Sequence, residues 1–190
     1  MIIEGLVTSL DFSGRLNVAP MGPIVEGDFE SIVLRPFQPS TTFDNLSQQR
    51  CGVFHVVDEI DVIARAAIGC LDVEPETVPA ETVAGRVLVR CCRWFEFQVT
   101  AIDTTQQRSV MNCRIVHRGE RRPYLGMNRA RNAVIEAAIL ATRIHLIPGE
   151  EIQQSFRSLR SAVEKTGNEA EFRAFQILAE YVAQGGSQKA

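Results

Sequence analysis

Apolar and polar positions alternate with a period of two over most of the first two thirds of the chain and with a helical period after it. Residues 2–9 and 15–24 are strand-like runs joined at Asp11-Phe12-Ser13-Gly14, a hairpin turn signal. Pro20 and Pro23 cannot donate to a ladder, so the second run is expected to end or bend there and to turn backbone groups away from its neighbour. The short apolar run 31–34 and the run 53–57 predict two further strands. Residues 83–89, 91–103 and 108–117 predict three more, the last two separated by the polar turn 104–107. In CRWFEFQVTAI, Trp94, Glu96 and Gln98 fall on one side and Phe95, Phe97 and Val99 on the other, the alternation of a half-buried strand. About six short strands with one long hairpin predict an antiparallel barrel.

Helical signals are interleaved with the strands and then take over. Asp44, three residues after Thr41, makes a capping box that opens a short helix through about Gln49. Val62, Ile63, Ala66 and Ala67, with Asp58 as N-cap, predict a second short helix over 58–68, stopped by Gly69. The acidic stretch 72–81 shows no periodicity and reads as a loop. From Gly126, Ala130, Val134, Ala137, Ala138, Ala141 and Ile144 describe a helix apolar on most faces, hence buried, that ends at Pro148-Gly149. Ile152, Phe156, Leu159 and Val163 mark one amphipathic helix, and Phe172, Phe175, Leu178 and Val182 another, with a break at Thr166-Gly167-Asn168. The organisation expected is a barrel over 1–125, a helical subdomain packed on it over 126–184, and a disordered tail over 185–190.

Composition narrows the classes. With 190 residues, 45% of them hydrophobic, the chain can bury a substantial core. A net charge of −3 argues against a dedicated nucleic-acid binder. The start has no basic region ahead of a long apolar core, and no stretch is apolar for the roughly 18 residues that span a bilayer, so a cytoplasmic location without membrane contact is expected. Five cysteines, an odd number, then read as reduced thiols. Cys91 and Cys92 are adjacent and point to opposite faces of a strand, and the other cysteines lack ligand spacing, so no metal site is expected. Glycine-rich dinucleotide fingerprints, phosphate loops of the nucleotide triphosphatases and nucleophile elbows are absent from the sequence.

One stretch, residues 34–57, sets an Arg, several hydroxyls and an Asn between two apolar strands. Arg35 projects from a strand end because Pro36 disfavours helix there, and Ser40, Thr41 and Thr42 precede a helix whose first amides are free. Amides at a helix start, short hydroxyls and a guanidinium are what a phosphate monoester needs. The ordinary reading is a helix cap beside a surface charge. Among the histidines, His55 and His145 read as satisfied core residues, and His117 at a strand end has the better claim to a cleft. The cluster Arg114, Arg118, Arg121, Arg122, Arg129 and Arg131 is either a solvated basic strip or an anion site with Asn128 as a polar partner.

Strand, Arg35-Pro36-Phe37, the Ser/Thr run, Asn45-Leu46 and the strand GVFHVV resemble the flavin-phosphate segment of the FMN-binding split-barrel superfamily, related to the flavin reductases. The opening MIIEGLVTSLDFSGRLNVAPMGPIV and the stretch NRARNAVIEAAILATRIHLI are similar to segments of a branch of that superfamily that is a domain of unknown function. The resemblance implies a six-stranded split antiparallel β-barrel with a C-terminal helical subdomain, an α+β fold, in a homodimer with FMN at or near the subunit interface. It implies that Arg35, Ser40, Thr41, Thr42 and Asn45 hold the phosphate and ribityl end, that Asn17, Val18, Ala19 and Pro20 lie along the ring, and that Asn128 and Arg129 approach the flavin region. The function implied is flavin-dependent oxidoreduction of a small molecule, with a pterin-like compound as a pointer and no catalytic acid or base assigned. The alternative is a non-enzymatic barrel that stores FMN or binds an acidic partner or RNA, with Trp94 and Phe95 beside Arg114 as a stacking surface.

Overall fold

The structure, a computed structural model, describes residues 1–186. In chain order its elements are β1 (Gly5–Leu10), β2 (Leu16–Met21), β3 (Ile24–Glu26), β4 (Ser31–Leu34), α1 (Thr41–Gln49), β5 (Cys51–Val56) and α2 (Ile60–Ala67). They continue with β6 (Thr77–Pro79), β7 (Arg86–Leu88), β8 (Arg93–Asp103), β9 (Val110–Glu120), α3 (Arg129–Ala141), α4 (Gly149–Thr166) and α5 (Glu169–Ala183). The chain divides into two compact units, Met1–Val57 with Pro75–Tyr124, and Asp58–Glu74 with Leu125–Ala190. The helical unit therefore takes in 58–74 as well as the C-terminal third. Positions 187–190 of the expected tail lie outside the described residues.

The first unit is a curled antiparallel sheet in the order β2-β1-β5-β8-β9-β4-β3, the split barrel of an α+β fold, with a separate β6-β7 hairpin. The main sheet has seven strands against the six expected: the run 83–89 contributes none to it, and the run 15–24 ends as β2 before Gly22-Pro23, after which 24–26 forms a separate strand, β3. Proline cannot donate to the ladder, and a Cβ at Gly22 would come within 2.8 Å of the Glu4 and Ile2 side chains. On the far side of this bend β3 is met by residues 1–3, through an Ile2 to Ile24 bridge and the Val25 N to Met1 O bond of 2.8 Å. The hairpin turn before β2 is built as its residues predict: the Asp11 carboxylate accepts from Ser13 N, Ser13 Oγ and Arg15 N, and Gly14 takes a φ of 80°.

Inside the sheet, Val7 of β1, Ile32 and Leu34, Phe54, the alternating Phe95, Phe97 and Val99 of β8, and Met111 and Cys113 of β9 form the core. The opposite face of β8 is also buried at Trp94 and Glu96. The reason is the segment predicted as a strand over 83–89. Only Arg86–Leu88 is strand there, pairing with Thr77–Pro79 of the supposed loop, and residues 80–83 form a turn that lies on Glu96. Trp94 also covers its cross-strand partner Gly119, where any Cβ would collide with the indole.

In the helical unit α2, α3, α4 and α5 bury Ile60, Ile63, Val134, Ala137, Phe156, Phe175 and Leu178. The small residues Ala130, Ala133, Ala137, Ala138 and Ala141 make α3 the central helix, as its all-round apolar pattern predicts. It is shorter than expected, ending at Thr142, and 142–147 is an exposed turn that carries Leu146 and His145. The α2 start also differs: the N-cap position is Glu59 without a side-chain cap bond, and the Asp58 carboxylate accepts instead from Leu125 N at 3.2 Å. Between α4 and α5 the predicted break is a full capping box, with Asn168 accepting from Ala170 N and Glu171 accepting from Asn168 N. Glu171, 3% exposed, also pairs with Arg131 of α3 at 3.0 Å. Burial raises its pKa, but the Asn168 amide and the Arg131 guanidinium outweigh burial and hold it below the usual carboxylate range.

Candidate functional site

Helix α1 begins one residue earlier in its capping than the Thr41–Asp44 spacing suggested. Ser40, not Thr41, is the N-cap: its extended backbone (φ −157°) lets Oγ accept from Phe43 N at 3.1 Å while its carbonyl accepts from Asp44 N at 2.9 Å. Those two bonds leave the N–H groups of Thr41 and Thr42 without an intrahelical partner. Thr41 is exposed and Arg35 half-buried, and Asp44 places the one acid of the first turn on the outer side. Ahead of the helix, residues 35–38 run along 107–109, just before β9: Arg108 Nε donates to Arg35 O, and Ser109 donates to Pro36 O through both N and Oγ at 3.0 Å. Arg35 thus leaves the end of β4 on a backbone held at two consecutive carbonyls.

Three of the expected site residues meet in one buried polar cluster. Asn17 of β2 donates from Nδ2 to Thr42 Oγ1 at 3.0 Å and to Ser9 Oγ at 3.3 Å, and Asn45 donates to the same Ser9 Oγ at 3.2 Å. Thr42 and Asn45 stand one helical turn apart on the buried face of α1, and Ser9 is the cross-strand partner of Asn17. The cluster ties the α1 corner to the first hairpin. Ser9 had no sequence signal of its own, since a lone Ser in an apolar run reads as an ordinary strand residue. Val18, Ala19 and Pro20 are half-buried on β2, an edge strand whose outer backbone groups have no strand partner.

Asn128 and Arg129 belong to the helical unit. Asn128 caps α3, accepting from Ala130 N at 2.8 Å and Arg131 N at 3.1 Å and donating to Thr166 O at 2.9 Å, so its amide is engaged at both ends. Arg129 is exposed at the first position of α3. The rest of the arginine strip is largely occupied: Arg118 reaches Asp28 O, Arg121 lies 5.4 Å over the Trp94 ring, Arg122 donates to Arg90 O, and Arg131 pairs with Glu171. Trp94 and Phe95, proposed as a stacking surface for nucleic acid, are 9% and 0% exposed and cannot offer their faces to bases.

His55 is a satisfied core residue, as expected. Leu88 N donates to its Nε2 at 3.2 Å, which puts the ring proton on Nδ1, facing Leu6 O at 3.2 Å. Burial, helped by the Arg121 charge and opposed by the Leu6 bond, pulls its pKa from 6.5 to about 3. The folded protein therefore keeps His55 neutral where the unfolded chain protonates it. Stability is unaffected by this group above pH 6.5 and falls as pH drops from 6.5 towards 3, by up to ~1.4 kcal/mol for each pH unit. Urea unfolding of the native protein and of His55→Gln, compared from pH 7 to pH 4, should show the steeper loss in the native protein; equal slopes would remove His55 as its source. His145 is exposed after α3 rather than in the core, and His117 is half-buried on β9 with Nε2 3.6 Å from Glu81.

Burial raises the Cys91 and Cys113 pKa values to about 11 and about 12, so neither is a nucleophile near neutral pH. Among the described residues no group of three or more His, Cys, Asp or Glu could hold a metal ion, and no helix is long and apolar enough to cross a membrane. A shallow groove of about 370 Å³ at the other end of α1 is lined by Arg50, Cys51, Thr82 and Gln98. Nine residues of helix, roughly 13 Å, separate it from the Ser40 corner.

No curated protein sequence matches the chain. Among solved structures it is similar to an FMN-bound protein from Methanosarcina mazei, with 27% identity, a TM-score of 0.81 and 94% of each chain covered. It is also similar in fold to the 2-nitrobenzoate 2-nitroreductase of Pseudomonas fluorescens, with 23% identity and a TM-score of 0.55 over 62% of this chain and 64% of that one. Flavoredoxin from Methanosarcina acetivorans gives 11% identity and a TM-score of 0.54 over 66% of this chain and 72% of that one. Two family models, described as the N-terminal domain of a protein of unknown function (DUF447) and as protein of unknown function (DUF447), match residues 3–122 and 128–180. The chain belongs to the DUF447 family.

Proposed function

We propose that this protein binds FMN at the α1 corner and uses it for oxidoreduction of a small molecule. The observation that carries the reading is the first turn of α1, where the Thr41 and Thr42 amides have no intrahelical partner and the Thr41 hydroxyl is exposed. Similarity to the FMN-bound Methanosarcina mazei protein over nearly the whole of both chains supports it. The residues fit the phosphate group: two amides and the helix dipole favour its charge, the Thr41 hydroxyl adds a donor, and Arg35, its backbone held ahead of the helix, supplies a cation. In this reading Thr42 and Asn45 serve mainly as the buried frame of that corner, and the edge strand β2 at Val18, Ala19 and Pro20 offers main-chain groups to the ring. Bound FMN supplies the hydride and electron transfer, while the chain binds, orients and shields it. A homodimer with the flavin at or near the subunit interface is part of the reading, as is a pterin-like substrate ring.

The test is Thr41→Glu. A carboxylate at an exposed first helical position suits the helix dipole, so the fold is retained, but it occupies the place of the phosphate. Native protein should hold FMN, seen as visible flavin absorbance after gel filtration, and Thr41→Glu should bind it about 100-fold more weakly. Equal FMN affinity in the two proteins would remove the α1 corner as the phosphate site. Oxidation of NADH or NADPH by the FMN-loaded protein then separates an enzyme from a carrier.

A further inference from the structure

We infer that Ser9 is a positioning residue for the phosphate end of the flavin site, holding the start of α1 in register with the first hairpin; the inference rests on the α1 corner being the FMN site. Ser9 is 1% exposed, so its hydroxyl is closed off from solvent. Its hydroxyl oxygen is an acceptor shared by a strand donor and a helix donor, Asn17 Nδ2 at 3.3 Å and Asn45 Nδ2 at 3.2 Å. Asn17 makes its other bond to Thr42 Oγ1, so two residues of α1, 5% and 4% exposed, are tied to the hairpin through a single strand pair, Ser9 and Asn17.

The anchored residues are those next to the free amides. Thr42 is the second residue of the helix, and its own N–H is one of the two without an intrahelical partner. A phosphate held by amides requires them to be aimed to within about 0.5 Å, which rigid elements achieve only when their supporting hydrogen bonds are complete. The buried network supplies that support from the side of α1 away from solvent. Without the Ser9 hydroxyl, Asn45 loses its acceptor on the hairpin and Asn17 keeps its bond to Thr42. The helix then keeps one side-chain hydrogen bond to β2, Asn17 to Thr42, and its first turn is held less firmly.

The prediction is specific to the phosphate. Loss of general stability weakens FMN and riboflavin binding alike, whereas loss of aim at the helix start weakens FMN and leaves riboflavin, which has no phosphate, nearly unchanged. The experiment measures both dissociation constants by quenching of flavin fluorescence for the native protein, Ser9→Ala, Asn45→Ala and the double variant, with thermal unfolding of each ligand-free protein alongside. The FMN-over-riboflavin preference should fall about tenfold in each single variant, with no further fall in the double variant because the link that Asn45→Ala cuts is already lost in Ser9→Ala. Ser9→Thr, which keeps the hydroxyl, should restore the preference. An unchanged preference in Ser9→Ala, or additive losses in the double variant, would overturn the inference. Should Ser9→Ala not fold, Asn45→Ala decides by the same ratio. Native protein that binds FMN no better than riboflavin overturns the phosphate corner itself, and the inference with it.

Discussion

Glu96→Ala should destabilise the protein by about 3–5 kcal/mol and free the 80–83 turn from the sheet. Glu96 is wholly buried on β8, and its carboxylate accepts four N–H groups: Glu81 N at 2.8 Å and Trp94 Nε1 at 3.3 Å on Oε1, and Thr82 N at 2.7 Å and Val83 N at 3.1 Å on Oε2. Three consecutive amides converging on one carboxylate reproduce an anion-binding nest with the anion supplied by the chain itself. Removing it orphans the indole N–H in the interior and three backbone groups at the turn. The sum of four charged hydrogen bonds would overstate the loss, because Glu81 and Thr82 are exposed and their amides regain water. Urea unfolding measures the total, and hydrogen exchange at Glu81, Thr82 and Val83 locates it. A loss under about 1 kcal/mol with those amides still protected would show that another contact holds the turn.

Gly5→Ala is expected to cost about 3 kcal/mol, at the top of the usual range for overpacking. A Cβ on Gly5 would fall on the carbonyl oxygen of His55 and within 2.9 Å of the Phe54 ring. The obstacle is backbone of the neighbouring strand, held in register by the Leu6 to His55 pairing of β1 and β5, so neither side can retreat without opening the sheet. Gly14→Ala is the control. That glycine has φ 80° and nothing within 4 Å of the added carbon, so its cost should be the backbone strain alone, roughly 1 kcal/mol. Denaturant midpoints that rank Gly14→Ala as the more damaging change would contradict the close approach of β1 and β5.

The strands were legible where burial is one-sided. Phe95, Phe97 and Val99 alternate in the sequence and share the core in the fold, because period two fixes the face whatever the partner strand is. Of the two prolines expected to end or bend the second run, Pro23 does so for an equally local reason, its missing N–H, while Pro20 stays within the edge strand β2, paired with Leu6. The second buried face of β8 was not legible, since Glu96 is covered by a turn 13–15 residues earlier in the chain whose strand pairing only the fold sets. The capping of α1 was readable to within one residue: a hydroxyl run marks a helix start, but which hydroxyl turns to the amides depends on the extended backbone at Ser40. His145 was misplaced because α3 ends at Thr142, and an apolar run does not by itself say where burial stops.

By itself the sequence determined the local chemistry of this protein: a hairpin at Asp11–Gly14, an alternating long strand, hydroxyls opening a helix after Arg35, and the order of barrel and helices. Those features depend on residues a few positions apart, where backbone geometry and side-chain type suffice. Tertiary structure alone decided which polar groups meet: Ser9 with Asn17, Thr42 and Asn45, and Glu96 with the amides of 81–83. Buried polar atoms must find partners wherever the packed chain brings them, and the partner is chosen by the register of distant strands, which no short stretch of sequence contains.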